Sequence, residues 1–230
     1  MKVLALDSSQ IQAAIALVVD GKLVATSEGS VAVSHSEALL ALIDRLLTQA
    51  NITLGEIDAF GVGVGPGSFT GIRIGCATVK TLAQVLNKPI LPFSSLKALA
   101  LSADDHLDGL VAMANAYQGQ VFIGWLDQNK TWIEDVMSAD VWCQQYGLQN
   151  TSEIRFCGNG AVVYRAAIEA ALAGRSFEIS ESTLYCSSIG VSRAILGVAP
   201  ISYAQLHANY MRPSQAEIKL EATVAKGKGA

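Results

Sequence analysis

The chain has 230 residues, long enough for two small α/β domains, and its formal net charge is -4. Hydrophobic residues make up 51% of the sequence and charged residues 16%, against roughly 25% charged residues in an average soluble chain. The negative net charge argues against a protein that binds nucleic acid on its own, so we expect any role with nucleic acid to be indirect. The apolar surplus indicates deep burial or a surface kept for a partner.

The first hundred residues predict an antiparallel meander followed by alternating helices and strands. The strands of the meander are predicted at 2–7, 12–19 and 23–27, and Asp20-Gly21 is a hairpin signal. Ser34-His35-Ser36-Glu37 then offers helix N-cap candidates, and apolar residues recur at helical spacing. These residues are Leu39, Leu40, Ile43, Leu46 and Leu47, and Ala38 and Leu42 widen the apolar stripe.

The glycine-rich stretch 61–75 reads Gly-Val-Gly-Val-Gly-Pro-Gly-Ser-Phe-Thr-Gly-Ile-Arg-Ile-Gly. It joins a predicted strand at 59–64 to a predicted helix at 70–86. A strand, a glycine loop and a helix start can turn backbone N–H groups toward an anion. The same layout lets a helix cross closely over a strand without a ligand, so two interpretations are open.

The order of the predicted elements indicates the fold of the first half. A strand at 90–93 and a helix from the Ser94-Ser95 cap to about Ser102 follow the glycine stretch and its helix. Three meander strands, then helix, strand, helix, strand and helix, is the ribonuclease-H-like order, a mixed five-stranded sheet with helices on its faces. The polar segment 103–109 marks the boundary, so we expect a first domain at 1–105.

The second half repeats this architecture without repeating the residues. Strands are predicted at 110–115, 120–127, 131–136 and 154–157, and helices at 140–146, 161–173 and 187–198. Gly158-Asn159-Gly160 again stands between a strand and a helix. We therefore expect an α/β protein of two tandem ribonuclease-H-like domains, with the second at 106–216 and a flexible tail at 217–230.

Asp7 ends the first strand, where ribonuclease-H-like folds place a working carboxylate. It could hold a hydrated metal or only organise the turn that follows. A two-metal nuclease needs further carboxylates near Asp7, and Asp44 and Asp58 are poorly placed for that. An ATPase of the actin and hexokinase class needs a glycine-bearing phosphate loop in each domain. Asp7-Ser8-Ser9-Gln10 has no glycine and Asn115 replaces the acid of the second loop, so the ATP machinery is incomplete.

Metal chemistry and secretion are also unsupported by the sequence. The four cysteines form no CxxC pair and have no histidine at a metal-ligand spacing, so we expect buried free thiols and no metal. Only four apolar residues separate Lys2 from Asp7, too few for a signal peptide, and polar residues interrupt the uncharged run 109–126. We expect a cytoplasmic protein with no membrane span.

The block 65–75 closely resembles the TsaB (YeaZ) family, the bacterial paralogues of TsaD. Other matching segments are 4–9, Ser34-His35-Ser36-Glu37 with Leu39-Leu40, and Asn209-Tyr210-Met211-Arg212, so the resemblance spans nearly the whole chain. It implies a two-domain actin-like ATPase (ASKHA-type) fold without ATPase activity, catalytic residues or a cofactor of its own. The glycines of 61–75 are then better explained by close packing of the helix on the strand.

The resemblance also implies a function and partners. In this family TsaD carries the chemistry that forms threonylcarbamoyladenosine next to the anticodon of tRNAs reading codons that begin with A. TsaB binds TsaD through the two helices of its first domain, and TsaE joins them. TsaB alone forms homodimers through much the same surface, and tRNA meets it only indirectly, through the complex.

The residues that these implications single out lie on the two helices and around the glycine stretch. The candidate partner or dimer contacts are Leu39, Leu42, Ile43, Leu46, Cys76, Val79 and Leu82. The candidate contacts to a ligand or at the junction with TsaD are Asp7, Ser68, Thr70 and Arg73.

One segment departs from the family pattern. Family members usually read Asp-Ala-Arg at the start of the second domain, whereas this chain reads Asn115-Ala116-Tyr117. Any role of that acid and base at the cleft between the domains is therefore in doubt. The alternative class of function is an autonomous enzyme on the same scaffold, either an ATP-dependent phosphotransferase or an M22-type peptidase.

Overall fold

A computed structural model of the chain describes residues 1–31, 35–149 and 153–212. These residues form two five-stranded mixed sheets with flanking helices, which confirms the predicted fold class. Ser34 of the expected helix cap, the end of the expected second domain and the expected tail at 217–230 lie outside the described residues.

The first sheet has the predicted meander and crossover order. Its elements in chain order are β1 (Lys2–Asp7), β2 (Gln12–Val19), β3 (Lys22–Ser30), α1 (His35–Ala50), β4 (Ala59–Gly63), α2 (Phe69–Leu86), β5 (Ile90–Phe93) and α3 (Ser95–Ala103). The strand order is β3-β2-β1-β4-β5. The meander pairs are antiparallel, and β1, β4 and β5 are parallel, so β1 lies at the centre.

The second sheet repeats this order. Its elements are β6 (Leu110–Tyr117), β7 (Gln120–Leu126), β8 (Trp132–Met137), α4 (Ala139–Gln145), β9 (Ile154–Cys157), α5 (Asn159–Val163), α6 (Arg165–Ala171), β10 (Phe177–Ile179) and α7 (Ser188–Ala194). The strand order β8-β7-β6-β9-β10 has the same pattern of antiparallel and parallel pairs. The duplicated architecture that the element order predicts is therefore confirmed.

Three elements of the second half differ from the expectation. The helix predicted at 161–173 is two helices that meet at Tyr164, whose φ of -104° and ψ of 22° leave the helical region. β10 was not expected, because three residues are too few to show a periodic pattern. The last helix ends at Ala194 rather than near residue 198.

Two helices cover each face of the first sheet. α1 and α2 pack on the face that presents Leu4, Leu6 and Ile15 of the meander strands. The opposite face, with Val3 and Ala5, is covered by α3 and α7. The apolar surplus of the sequence is thus largely used in burying both faces of the central strands.

The segment after β10 returns to the first sheet. The backbone N–H of Ser188, at the start of α7, donates to Glu28 Oε1 of β3 at 2.7 Å. The backbone N–H of Ser187 donates to Ser102 Oγ at 2.9 Å. Further along, Ile201 forms an isolated bridge with Ile90 of β5. These contacts join the segment 187–201 to the first sheet. The domain limits at 105 and 216 stay a prediction.

The apolar residues of α1 and α2 that were expected to contact a partner fall into two groups. Leu39, Ile43, Leu46 and Val79 are 0 to 4% exposed inside the core of this chain, because their helix faces turn toward the sheet. That burial assigns these four to the chain's own core. Leu42, Cys76 and Leu82 are half-buried at the edge of the same core, and their contact with a partner stays a prediction.

Candidate functional site

A cleft of about 410 Å³ lies between the two sheets. It is lined by the loop after β1 (9–11), the start of α2 (67–70), the end of β6 (114–117) and the segment 209–212. Both sheets therefore contribute the carboxyl end of their central strand. In open α/β sheets this is the edge where ligands bind.

Asp7 lies behind the cleft rather than in its lining. The side chain is fully buried, and Oδ1 accepts from Ser9 twice, from the backbone N–H at 3.0 Å and from Oγ at 2.7 Å. Oδ2 accepts from Ser95 Oγ at 2.5 Å. Burial raises the pKa of this carboxyl, and the hydrogen bonds from Ser95 and Ser9 oppose that rise. The structure thus engages both oxygens of Asp7 in contacts within the protein.

The glycine stretch brings α2 against the loop after β1. A Cβ atom at Gly71 would lie 2.0 Å from the carbonyl oxygen of Ser8, closer than any side chain allows. Ser8 Oγ donates to the Gly71 carbonyl at 2.9 Å, and the backbone N–H of Ser68 donates to the Ser9 carbonyl at 2.7 Å. Backbone groups of this loop therefore form hydrogen bonds within the protein, which supports the packing interpretation of its glycines.

The other predicted contacts of this stretch lie at the cleft and its rim. Ser68 caps α2 by accepting from the Gly71 N–H at 3.3 Å, and both Ser68 and Thr70 line the cleft. Arg73 is exposed at the rim, where its guanidinium lies 3.8 Å from the centre of the Phe69 ring. Arg73 Nε also donates to the hydroxyl of Tyr210 at 3.2 Å. The structure thus brings Ser68, Thr70 and Arg73 together and separates them from Asp7.

Several cleft residues were not predicted as site residues. Tyr210 and Arg212 belong to the segment 209–212, which the sequence marks only through the family resemblance, and both line the cleft. Arg212 Nη1 donates to the Ala116 carbonyl at 2.6 Å, and Nη2 donates to Gln118 Oε1 at 2.7 Å. Asn159 also lines the cleft, and its place between two glycines after a strand is the signal that could have found it.

Residues 1–31, 35–149 and 153–212 contain no group of three or more His, Cys, Asp or Glu side chains that could hold a metal. Among the helices described there, none is both long and apolar enough to cross a membrane.

Comparison with known proteins gives consistent matches in sequence and in structure. The family model of TsaD, tRNA N6-adenosine threonylcarbamoyltransferase, matches residues 29–185. The tRNA threonylcarbamoyladenosine biosynthesis protein TsaB of Bacillus subtilis is 30% identical over 184 residues, 77% of this chain and 79% of that protein. TsaB of Haemophilus influenzae is 28% identical over 223 residues, 90% of this chain and 88% of that protein.

Solved structures share the fold. YeaZ from Pseudomonas aeruginosa superimposes with a TM-score of 0.75 at 24% identity, covering 91% of this chain and 99% of that one. Component A of the (R)-2-hydroxyglutaryl-CoA dehydratase from Acidaminococcus fermentans, at 11% identity, gives a TM-score of 0.51 over 89% of this chain and 98% of that one. The fold is that of the actin-like ATPase class. Given the two sequence matches at length, the chain belongs to the TsaB (YeaZ) family, which shares the TsaD-type domain.

Proposed function

We propose that this protein is a non-catalytic subunit that binds TsaD and supports the formation of threonylcarbamoyladenosine in tRNA. The name shared by the relatives supports the role in this modification. In this proposal TsaD performs the transfer, TsaE joins the pair, and tRNA meets this chain only through the complex, in the cytoplasm. The chain on its own forms a homodimer through the surface that TsaD uses.

The observation that carries the accessory role is the state of Asp7. An ATPase of this class needs a carboxylate facing a metal-bound nucleotide, whereas Asp7 is buried behind the cleft and both of its oxygens accept hydrogen bonds from Ser9 and Ser95. Burial also raises the pKa of Asp7, while the hydrogen bonds from Ser95 and Ser9 lower it. Among the described residues of the cleft lining, moreover, Asp and Glu are absent, so Mg²⁺ would find no carboxylate there.

The outer surface of α1 and α2 is the proposed docking surface. Leu40 of α1 is 52% exposed and Val85 of α2 is 76% exposed, although both are large apolar side chains on helices that cover the core. Leu42, Cys76 and Leu82 of the same helices are half-buried at the edge of the core. Exposed apolar side chains on adjacent helices suit a helical interface with a protein of similar fold.

Reconstitution tests the accessory role. The purified chain alone should hydrolyse no ATP and cleave no protein. Threonylcarbamoyladenosine should appear in tRNA only when TsaD, TsaE and the carboxylated threonyl intermediate are added. ATP turnover or proteolysis by the chain alone, lost in Asp7→Asn, would instead establish an autonomous enzyme.

Charge substitution tests the docking surface. Leu40→Glu and Val85→Glu should each weaken binding to TsaD, measured by surface plasmon resonance, by at least about tenfold, because a buried unpaired charge costs several kcal/mol. Val163→Glu is the matched control, since Val163 is 57% exposed on α5 of the second sheet. Unchanged affinity in both test variants would show that the helix faces are wrongly assigned.

A further inference from the structure

Three amide side chains that line the cleft each turn the amide oxygen toward a backbone N–H group. Gln10 Oε1 accepts from the backbone N–H of Cys186 at 2.9 Å. Asn159 Oδ1 accepts from the backbone N–H of Asn115 at 2.9 Å, and Asn115 Oδ1 accepts from the backbone N–H of Tyr117 at 2.9 Å. A backbone N–H can only donate, so each contact fixes the amide with its oxygen toward the backbone.

The amide nitrogens are consequently left as free donors. Within the described ranges, no acceptor takes the NH2 group of Gln10, Asn115 or Asn159. All three residues are half-buried and line the cleft. Among the described side chains, only Trp142 Nε1 and Ser188 Oγ are buried without a hydrogen-bond partner, so the three amide nitrogens reach solvent. Water or a ligand can therefore accept from them, and the cleft offers donors to a ligand with acceptor atoms.

The cleft is positively charged, with Arg212 in its lining and Arg73 at its rim. Arg212 is the charged residue of the described lining. Its bonds to the Ala116 carbonyl and to Gln118 hold it at the wall instead of in a salt bridge. A guanidinium in the lining, with neutral donors beside it, suits a carboxylate, because hydrogen bonds between a guanidinium and a carboxylate are charge-assisted.

Part of the remaining wall is apolar and aromatic. Phe122 and Ala114 are buried, and Tyr185 and Tyr210 add ring surface. A volume of about 410 Å³ falls within the range of small-molecule sites, which runs from about 300 to 1,000 Å³. The cleft therefore has room for a small organic group attached to the anion.

We propose that this cleft binds a small ligand that carries a planar carboxylate. The NH2 groups of Gln10, Asn115 and Asn159 donate to the carboxylate and to a neighbouring carbonyl, and Arg212 supplies the opposite charge. The identity of the ligand rests on the proposed function: it is the threonylcarbamoyl group, which carries a carboxylate, a hydroxyl and a carbonyl. This subunit thereby has a ligand site of its own, in addition to the surface that docks to TsaD.

Calorimetric titration of the full chain alone tests the site. N-carbamoyl-L-threonine should bind, and its methyl ester, which lacks the charge, should bind at least about tenfold more weakly. Adenosine and inorganic phosphate are the probes for a base site and for a dianion site. Tighter binding of either of these, or equal binding of the ester, would overturn the proposal, as would failure of N-carbamoyl-L-threonine to bind.

Amide-to-acid variants test the residues. Asn115→Asp and Gln10→Glu keep the oxygen that the backbone N–H groups use, but they replace a donor by a negative charge. Each should weaken binding of N-carbamoyl-L-threonine by at least about tenfold, because like charges at contact distance cost more than the roughly 1.4 kcal/mol of a factor of ten. Unchanged binding in both variants would overturn the assignment.

A control substitution and a second measurement distinguish loss of ligand binding from a nonspecific charge effect and from misfolding. Asn129→Asp, in the exposed turn between β7 and β8, carries the same charge change and should bind like the wild type. Circular dichroism confirms that each variant is folded. Because the titration needs no TsaD, a negative result leaves TsaD binding untouched, and loss of TsaD binding leaves the titration interpretable.

Discussion

Ser95 Oγ donates to Asp7 Oδ2 at 2.5 Å and thereby joins two elements that are 88 residues apart. Asp7 is the last residue of β1, and Ser95 is the first residue of α3. The same Ser95 oxygen accepts from the backbone N–H of Gly65 at 3.1 Å, so one hydroxyl links the strand, the glycine stretch and the helix. Asp7 occupies the position of the functional carboxylate of ribonuclease-H-like folds, but in this chain it links elements of the first domain through hydrogen bonds.

The first prediction concerns the pH dependence of stability. Burial raises the folded-state pKa of Asp7 above its ordinary 3.8. The folded chain therefore holds this proton more tightly than the unfolded chain, and Asp7 contributes less stability as pH rises above about 3.8. In Asp7→Asn this titration is absent, so the free energy of unfolding of the variant minus that of the wild type should increase with pH.

Urea denaturation at a series of pH values measures this difference. The increase should be about 1.4 kcal/mol for each pH unit that separates the folded and unfolded pKa values of Asp7. Asp44→Asn is the control, because Asp44 is exposed on α1. A difference that stays constant or falls with pH would show that Asp7 is ionised in the folded protein.

The second prediction concerns the approach of α2 to the loop after β1. In Gly71→Ala the new Cβ would lie 2.0 Å from the Ser8 carbonyl oxygen, which is backbone and cannot turn away. We expect the free energy of unfolding, measured by chemical denaturation, to fall by about 1–3 kcal/mol, as for other overpacked positions.

Gly55→Ala provides the comparison for this loss. A Cβ at Gly55 meets nothing within 4 Å, so the variant should stay within about 0.5 kcal/mol of the wild type. Equal stability of the two variants would mean that α2 does not lie as close to Ser8 as the structure has it.

The third prediction concerns the cysteines, which are free in the structure. Burial raises the pKa of Cys76 to about 11 and those of Cys143 and Cys157 to about 12. Thiolate is the reactive form, so the folded chain should react slowly with Ellman's reagent near pH 8 and promptly after unfolding in guanidinium. Cys76 is half-buried, so Cys76→Ser is the variant that identifies any early reaction. Prompt labelling of a deeply buried thiol would contradict the packing of these cores.

The limits of sequence reasoning are clearest on α1 and α2. The period of a helix is local, so helical spacing correctly grouped the buried residues of α1, which are Leu39, Ile43, Leu46 and Leu47. It also placed Leu40 on this stripe, although Leu40 is 52% exposed. It did not separate Leu39 and Val79, which lie in the core, from Leu42 and Leu82, which lie at its edge. That distinction depends on where the sheet lies beneath each helix. β10 was not predicted for a different reason, since three residues are too few to show a periodic pattern of apolar residues.

The candidate site shows the same division at longer range. The strand ends at Asp7 and Asn115 are visible in the sequence, yet the direction in which Asp7 turns depends on Ser95. Gln10 and Asn159 are 149 positions apart in the sequence, and they line one cleft only because the two sheets face each other. No local pattern relates such residues to one another.

The sequence by itself determined the duplicated strand and helix order, the close helix start at the glycine stretch and the family, because these follow from local periodicity, turn chemistry and a continuous motif. Only the tertiary structure decided that the Asp7 carboxylate is enclosed and that three amide side chains, whose oxygens accept from backbone N–H groups, line one cleft. The physical reason is that burial and hydrogen-bond partners are set by residues far apart in the chain, which meet only when both sheets have formed.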